Sequence, residues 1–215
     1  MVKVIFLRHG YTVMNDACRM CGFSESPLTE QGKKQGNLAC EYIYNNYKVQ
    51  KIVTSTLSRA IDTAKRLSEL TGLDIITDKR FKEQNIGGWE LKTLKEIEEE
   101  FPENYHAWQK DACYVAPVGG EDMAQVNNRL LSALSDYAKQ CDNKDGVLVV
   151  VTHGGVVRAL TCLLFGKDIS EIGSMPWVNN ASITEFDYDN GKVNLIKLGF
   201  DDYLNGLQTK IMSGL

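Results

Sequence analysis

The sequence of 215 residues lacks the features that mark several classes of protein. Its 24 Lys and Arg stand against 28 Asp and Glu, so it has no basic excess of the kind that binds nucleic acid or anionic membranes. Its longest apolar runs, such as Val147 to Val151, fall far short of the roughly 20 residues that span a bilayer. We therefore expect no nucleic-acid partner and no membrane contact.

We expect neither a secretory leader nor a disulfide framework. Arg8 interrupts the N-terminal apolar segment before it reaches a useful length for a signal peptide. The six cysteines are scattered over a chain long enough to bury a core without disulfides. Cys18 and Cys21 have the spacing of a metal or redox motif, but no second pair or nearby histidine completes a zinc site. We expect reduced thiols, an incidental cysteine pair and a cytoplasmic protein.

Short apolar segments typical of buried strands alternate with helical patterns along most of the chain. The pattern over about 90–140 is mainly helical and predicts a helical insertion, while Ser55 or Thr56 is predicted to cap an earlier helix. The alternation predicts one α/β domain over residues 1–215, with three α/β/α layers and a mostly parallel central sheet. The predicted strands are Val4 to Leu7, Ile52 to Thr54, Leu73 to Thr77, Gly146 to Thr152, and two near the C-terminus joined at Asp189-Asn-Gly191.

Histidine is scarce, and its placement is informative. Of the three histidines, His9 and His153 each follow one of the two strongest predicted strands, and each is followed by glycine. Ligands of parallel sheets bind outside the carboxyl ends of the strands, where glycine lets backbone N–H groups approach an anion. The alternative is a histidine that only serves packing, which has no reason to stand at a strand end. We predict that both imidazoles belong to one site.

Two arginines are expected at the same edge of the sheet. Arg8 adjoins His9, and Arg59 lies in the first turn after the second predicted strand. Guanidinium groups match phosphate bidentately, although a single arginine near a helix start more often forms a surface salt bridge. No metal-binding histidine motif and no glycine-rich phosphate loop with Lys-Ser/Thr accompanies them. The residues therefore predict a phosphate pocket without metal or other cofactor, in which a neutral imidazole can be the nucleophile.

Five motifs, in this order along most of the chain, resemble those of the histidine phosphatase superfamily, the phosphoglycerate-mutase-like fold. Any one of them is weak evidence, but five at compatible spacing are specific. The motifs are Leu7-Arg8-His9-Gly10-x-Thr12-x-x-Asn15, Pro27-Leu28-Thr29-x-x-Gly32, Ser55-x-x-x-Arg59-Ala60-x-x-Thr63-Ala64, Glu83-x-x-x-Gly87-x-Trp89-Glu90 and Thr152-His153-Gly154-Gly155.

The resemblance implies a role for each matching residue. His9 becomes the phosphohistidine, and Glu83 is the general acid and then the general base, with Glu90 as the nearest rival for that role. The helical insertion is expected over the active site. The residues that the resemblance implies for binding the phosphoryl group and the substrate are Arg8, Asn15, Gly22, Arg59, His153 and Gly154.

Three functions remain open at this point. A phosphoglycerate mutase needs extra cations over the site, yet between Glu90 and Glu121 the cations are Lys92, Lys95 and Lys110, with no arginine. The segments around Trp89-Glu90, Trp108 and Pro117-x-Gly119-Gly120-Glu121 look like the phosphatase branch, in particular its α-ribazole phosphatase-like members. We expect hydrolysis of a small phosphate monoester, with a cofactor-dependent mutase or a non-catalytic phosphate-binding module as the alternatives.

Overall fold

The computed structural model describes residues 1–141 and 146–209, so 142–145 and 210–215 of the predicted domain lie outside the described residues. Its strands form one sheet in the order β3-β2-β4-β1-β5-β6. The ladders among β1 to β4 are parallel, and β5 runs antiparallel to β1 and to β6. The mostly parallel sheet is therefore confirmed. The strands are β1 (Val2–Arg8), β2 (Val49–Thr54), β3 (Ile75–Thr77), β4 (Val147–Thr152), β5 (Ile183–Asp189) and β6 (Lys192–Phe200).

Helices cover both faces of the sheet, which gives the predicted three layers. The helices over Glu30–Asn46 and Ser58–Thr71 pack on one face, and those over Met123–Lys139 and Gly154–Leu164 pack on the other. Short 3-10 helices lie at Lys79–Phe81, Gly87–Trp89, Ile169–Ser174 and Asp202–Leu204. The α-helices are α1 (Val13–Asp16), α2 (Glu30–Asn46), α3 (Ser58–Thr71), α4 (Leu94–Glu100), α5 (Pro102–Lys110), α6 (Met123–Lys139) and α7 (Gly154–Leu164).

The central strand β1 is apolar from Val4 to Leu7 because both of its faces are buried. Val4 and Phe6 face the core that contains α6 and α7, whereas Ile5 and Leu7 face the core that contains α2 and α3. All four side chains are fully buried. Each large apolar side chain buried in this way contributes about 1.5–3 kcal/mol, so the strand that ends at the site is held from both sides.

The helical segment predicted over about 90–140 divides between two places. Helices α4 and α5 pack around Trp89 in a small separate cluster, with Ile97 and Tyr105. Helix α6 instead joins the main core beside α7, because apolar residues recur along one of its faces, among them Val126, Leu130 and Leu134. The helices of the predicted insertion therefore pack in two different ways: α4 and α5 form the separate cluster, and α6 belongs to the main core.

Local signals decide several element boundaries. Asn190 and Gly191 both have positive φ, which is the conformation of the tight hairpin turn predicted between β5 and β6. Helix α3 ends at Gly72 in the left-handed conformation. The predicted cap of α3 is wrong, since Leu57 occupies the N-cap position and the Glu25 carboxylate accepts from the Ser58 amide at 3.1 Å.

Candidate active site

The two strand-end histidines lie side by side. Arg8 pairs with Thr152 in the parallel ladder of β1 and β4, so the next residues, His9 and His153, leave neighbouring strands at the same edge. The His9 amide donates to the Thr152 carbonyl at 2.9 Å. The two ring centroids are 5.2 Å apart, with an angle of 59° between the ring planes. The predicted proximity of the imidazoles is confirmed.

The imidazole of His9 is held in the tautomer that a nucleophile needs. Its Nδ1 lies 2.8 Å from the Gly10 carbonyl oxygen, which can only accept, so Nδ1 carries the hydrogen and Nε2 carries the lone pair. Burial lowers the pKa of His9 well below its usual range, and the positive charges of Arg59 and Arg8 lower it further. The ring is therefore neutral at physiological pH, with Nε2 available for attack.

His153 is oriented by a hydroxyl group and leaves one nitrogen unused. Its Nε2 lies 2.7 Å from Ser55 Oγ, which also accepts from the Leu57 amide at 3.1 Å. Burial, followed by the charge of Arg59, lowers the pKa of His153 well below its usual range. Its Nδ1 is buried and has no hydrogen-bond partner among the described residues. A polar atom in that position is available to a ligand.

The two predicted phosphate-binding arginines are both beside the histidines, and neither forms an ion pair within residues 1–141 and 146–209. Arg59 is 1% exposed and donates to the carbonyls of Ser24 at 2.9 Å and Gly22 at 2.7 Å. Arg8 donates to the Val178 carbonyl, and its buried Nε has no partner in the described chain. Burial lowers the pKa of Arg8 to about 10, although the negative charge of Glu83 acts to raise that pKa. The surface salt-bridge alternative is therefore wrong for both.

Glu83 follows the 3-10 helix Lys79–Phe81 and faces the same cavity, beside the N-terminus of α7. Its Oε2 accepts from the Gly155 amide at 3.0 Å, and its Oε1 accepts from the Gln84 amide at 2.9 Å. Helix N-termini carry partial positive charge, so this position suits a carboxylate. The side chain that the resemblance implies as acid and base is thus fixed in the cavity wall by two backbone amides.

Arg129 of α6 holds the segment that carries Glu83, and sequence reasoning missed it. Its guanidinium donates to the carbonyls of Arg80, Lys82 and Glu83 at 2.6–2.8 Å. Its remaining N–H groups donate to both carboxylate oxygens of Glu121, so all five donors are used. The sequence motif from Pro117 to Glu121 includes the carboxylate partner, Glu121. Nothing in the sequence indicates that Glu121 pairs with Arg129, eight residues later.

Glu90 has a structural use that competes with the acid role. Its carboxylate accepts from the backbone amides of Gly22, Phe23 and Ser24. The loop over Cys21 to Ser24 is therefore held by Glu90 through its amides and by Arg59 through its carbonyls. Gly22 is predicted to bind substrate, but its N–H donates to the Glu90 carboxylate and its carbonyl accepts from Arg59. Neither Glu90 nor Gly22 lines the cavity.

Two asparagines support the loop that follows β1. Asn15 Oδ1 accepts from the Thr12 amide and from Asn180 Nδ2, both at 3.2 Å. Asn180 Nδ2 also donates to the His9 carbonyl at 3.1 Å, a contact that sequence reasoning missed because the residues are far apart in the chain. Since its Oδ1 is used in this way, Asn15 has its amide N–H groups left for a ligand in the cavity.

The site opens into a solvent-accessible cavity of about 110 Å³. Its wall brings together most of the predicted site residues with apolar side chains from the cluster around Trp89, from α6 and from the segment after α7. His153 is fully buried beside His9 and is not part of the wall. The lining residues are Arg8, His9, Tyr11, Thr12, Asn15, Arg19, Met20, Cys21, Arg59, Glu83, Gln84, Ile86, Trp108, Ala112, Met123, Gly154, Gly155, Arg158, Ile172, Trp177 and Asn180.

The lysines of the predicted insertion do not reach this cavity. Lys92 pairs with Glu100 at 2.7 Å, and Lys95 lies 3.7 Å from Glu99. None of Lys92, Lys95 and Lys110 lines the cavity. A second phosphate group would therefore find no lysine of this segment in the cavity wall.

Neither a metal cluster nor a spanning helix is found in the described chain. Within residues 1–141 and 146–209, no three His, Cys, Asp or Glu side chains come together as metal ligands, and no helix is long and apolar enough to cross a membrane. Cys18 and Cys21 are free thiols. Burial raises the pKa of Cys21 to about 11, which makes its thiolate form scarce.

Comparison with known proteins identifies similar chains over nearly the whole length. Residues 4–201 match the family described as histidine phosphatase superfamily (branch 1). The chain is 32% identical over 200 residues to glucosyl-3-phosphoglycerate phosphatase of Mycolicibacterium vanbaalenii, with 88% of each chain covered. It is 31% identical over 204 residues to phosphoserine phosphatase 1 of Hydrogenobacter thermophilus, with 95% of each chain covered.

A solved structure supports the same architecture. The α-ribazole phosphatase of Shigella flexneri superposes with a TM-score of 0.83, and 93% of this chain and 97% of that chain are covered. The sequence identity is 22%, so this likeness concerns the fold alone.

Proposed function

The chain belongs to branch 1 of the histidine phosphatase superfamily, and from the geometry of its site we propose that it hydrolyses a phosphate monoester through a phosphohistidine on His9. One observation carries this proposal: a neutral imidazole presents a free Nε2 beside the buried Arg59 and the partly buried Arg8, and neither guanidinium has a carboxylate partner in the described chain. Such an arrangement lacks only the anion that it would neutralise.

In the first step, the lone pair of His9 Nε2 forms a bond to phosphorus while the bond from phosphorus to the ester oxygen breaks. Arg8, Arg59 and His153 Nδ1 surround the transferred group and stabilise the charge on its oxygens. Glu83 gives its proton to the leaving oxygen, so the alcohol departs as a neutral molecule.

In the second step, water attacks the phosphorus of the phosphohistidine. Glu83, now a carboxylate, takes a proton from that water, and the bond between His9 Nε2 and phosphorus breaks. Inorganic phosphate is released and His9 returns to its neutral form. The balance requires no metal ion, oxidant or other cofactor.

Hydrolysis is favoured over the mutase alternative by the cations of the cavity. A mutase must hold a second phosphate, and Lys92, Lys95 and Lys110 are absent from the cavity wall. Besides Arg8 and Arg59, the wall contains Arg19, which pairs with Glu96, and one arginine without a carboxylate partner in the described chain, Arg158. Both relatives compared above are named as phosphatases. Adding bisphosphoglycerate to an assay with monophosphoglycerate separates the two: a phosphatase releases phosphate without isomerising the substrate.

The proposal is tested with p-nitrophenyl phosphate in the presence of EDTA. We expect turnover by the natural chain, loss of more than ~99% of it in His9→Ala, and little change in the control His106→Ala, whose side chain is 54% exposed on α5. Rapid quenching with labelled substrate should trap an acid-labile, base-stable phosphoprotein. Binding of phosphate without turnover would support the non-catalytic module instead, and an acid-stable adduct would exclude histidine as the nucleophile.

The setting of this activity is part of the same proposal. We propose that residues 1–215 act as one catalytic domain on a small-molecule ester in the cytoplasm. Support comes from Arg8 and Asn180, which lie far apart in the chain and line one cavity, and from the free thiols of Cys18, Cys21, Cys40, Cys113 and Cys162.

A further inference from the structure

Arg158 places an uncompensated positive charge in the cavity wall. It lies on α7, where its Nε donates to the Met175 carbonyl at 3.0 Å and one terminal nitrogen donates to the Gly173 carbonyl at 2.9 Å. The other N–H groups of the guanidinium have no hydrogen-bond partner within residues 1–141 and 146–209, and no carboxylate of that part of the chain pairs with it. The proposed chemistry at His9 does not use this charge.

The Arg158 side chain is partly buried. Burial lowers the pKa of its guanidinium, which means that solvent stabilises the cation poorly. The group is positioned over the ring of Trp177, 4.6 Å from its centroid, which limits its motion.

The distance between Arg158 and the phosphoryl pocket is short. Gly154 and Arg158 are four residues apart on α7, so they share a helix face at a separation of about 6 Å. A Cβ atom at Gly154 would lie 3.2 Å from the Arg8 guanidinium and 3.3 Å from the ring of Trp177. Trp177 therefore lies close both to the start of α7 beside Arg8 and to the guanidinium of Arg158, and both cations line the same cavity.

Two further donors in this part of the wall also lack partners. Nε1 of Trp108 and Nε1 of Trp177 are buried and make no hydrogen bond within the described residues. The side chains around them, including Met123 and Ile172, are apolar. Donors without acceptors in an apolar wall favour a ligand group that accepts several hydrogen bonds at once.

We propose that Arg158 binds a carboxylate of the alcohol part of the substrate, so that the preferred esters are phosphates of short hydroxy acids. This inference rests on the proposed hydrolysis at His9. A carboxylate suits the place better than a second phosphate, because a single guanidinium faces it, whereas the phosphoryl pocket supplies two guanidinium groups and two imidazoles. Because Gly154 and Arg158 are about one helical turn apart on α7, a short substrate can reach from the phosphoryl pocket to Arg158.

The first test uses the natural chain and pairs of substrates that differ at one group. Phosphoserine and phosphoethanolamine differ by a carboxylate, and 3-phosphoglycerate and glycerol 3-phosphate differ by a carboxylate in place of a hydroxymethyl group. We expect kcat/KM to be ~10- to 100-fold higher for the carboxylated member of at least one pair, as charged hydrogen bonds of this kind allow. Equal values in both pairs would overturn the inference.

The second test asks whether Arg158 is the source of that preference. In Arg158→Gln the ratio of kcat/KM within the preferred pair should fall to within ~3-fold of unity, while Arg158→Lys should retain an intermediate ratio. The control is Arg66→Gln, which removes an exposed arginine of α3 that lies outside the cavity and should leave the ratio unchanged. An unchanged ratio in Arg158→Gln would overturn the assignment to Arg158.

The two proposals fail in different ways. Absence of p-nitrophenyl phosphate turnover by the natural chain would overturn the proposed function. Turnover of that compound without any preference for carboxylated esters would overturn only the inference on Arg158. Because the substrate pairs are measured on the natural chain, the inference stays testable even if a variant at this position does not fold.

Discussion

Adding one methyl group at Gly155 should separate the acid step from the rest of the reaction. A Cβ atom there would lie 2.5 Å from Glu83 Oε1 and 3.3 Å from its Cδ, whereas ordinary contact begins near 3.4 Å. The carboxylate would have to retreat by about 1 Å, and a displacement of that size in an active site costs about 10²-fold in rate. In contrast, His9, Arg8 and Arg59 are not touched by the added methyl group.

The assay compares leaving groups. For Gly155→Ala we expect kcat/KM to fall by ~10²-fold on alkyl phosphates and by less than ~5-fold on p-nitrophenyl phosphate, because a nitrophenolate leaves without needing a proton. The same pattern is expected for Glu83→Gln. Alanine is the better helix former by about 1 kcal/mol, so α7 should not be lost.

The control is Gly173→Ala, because nothing lies within 4 Å of a Cβ atom at that position. It should leave both rates unchanged. Equal losses on the two kinds of substrate in Gly155→Ala would refute the assignment of Glu83 as the acid, since they would indicate damage to the phosphoryl pocket instead.

Three other outcomes follow from the contacts described. Arg129→Met leaves Glu121 without its cation, so we expect about 3 kcal/mol of lost stability by urea unfolding, with a larger activity loss on alkyl than on aryl phosphates. Glu90→Gln should reduce kcat/KM on both kinds of ester equally, by ~10-fold, because it loosens the loop that Arg59 holds; a loss confined to alkyl esters would instead make it the acid. The pKa values of His9 and His153 are lowered on folding, so below about pH 6.5 the unfolded chain binds more protons than the folded chain. As the pH decreases, the free energy of unfolding should therefore fall by up to about 2.7 kcal/mol per pH unit. Unfolding curves between pH 7 and 5 check this, and a double His→Gln variant should flatten the dependence.

The edge of the sheet was predictable because it depends on short-range signals. Apolar runs ending at His9 and His153 identify the strands, and strands that alternate with helices imply a parallel sheet whose carboxyl ends meet. The neighbouring positions of the two imidazoles therefore follow from local pattern and general topology. The assignment of Glu83 required resemblance, since composition does not distinguish it among the acidic residues.

The supporting contacts were not predictable for a different reason. Ser55 has the appearance of a helix cap, yet its hydroxyl group meets His153, which is 98 residues away in the chain. Asn180 and Arg129 likewise act on segments that are remote in sequence. Polar contacts of this kind carry no periodicity, so a single sequence contains no signal that pairs their two partners.

The separate packing of the cluster around Trp89 has a consequence for how such an enzyme can change over evolutionary time. The two imidazoles assigned to phosphoryl transfer stand at the ends of strands anchored in the two main cores, whereas Trp108 and Ile86 reach the cavity from a third cluster. Substitutions in that cluster can alter the shape offered to the alcohol without repacking the sheet. Selectivity and chemistry are thereby free to diverge at different rates within one chain.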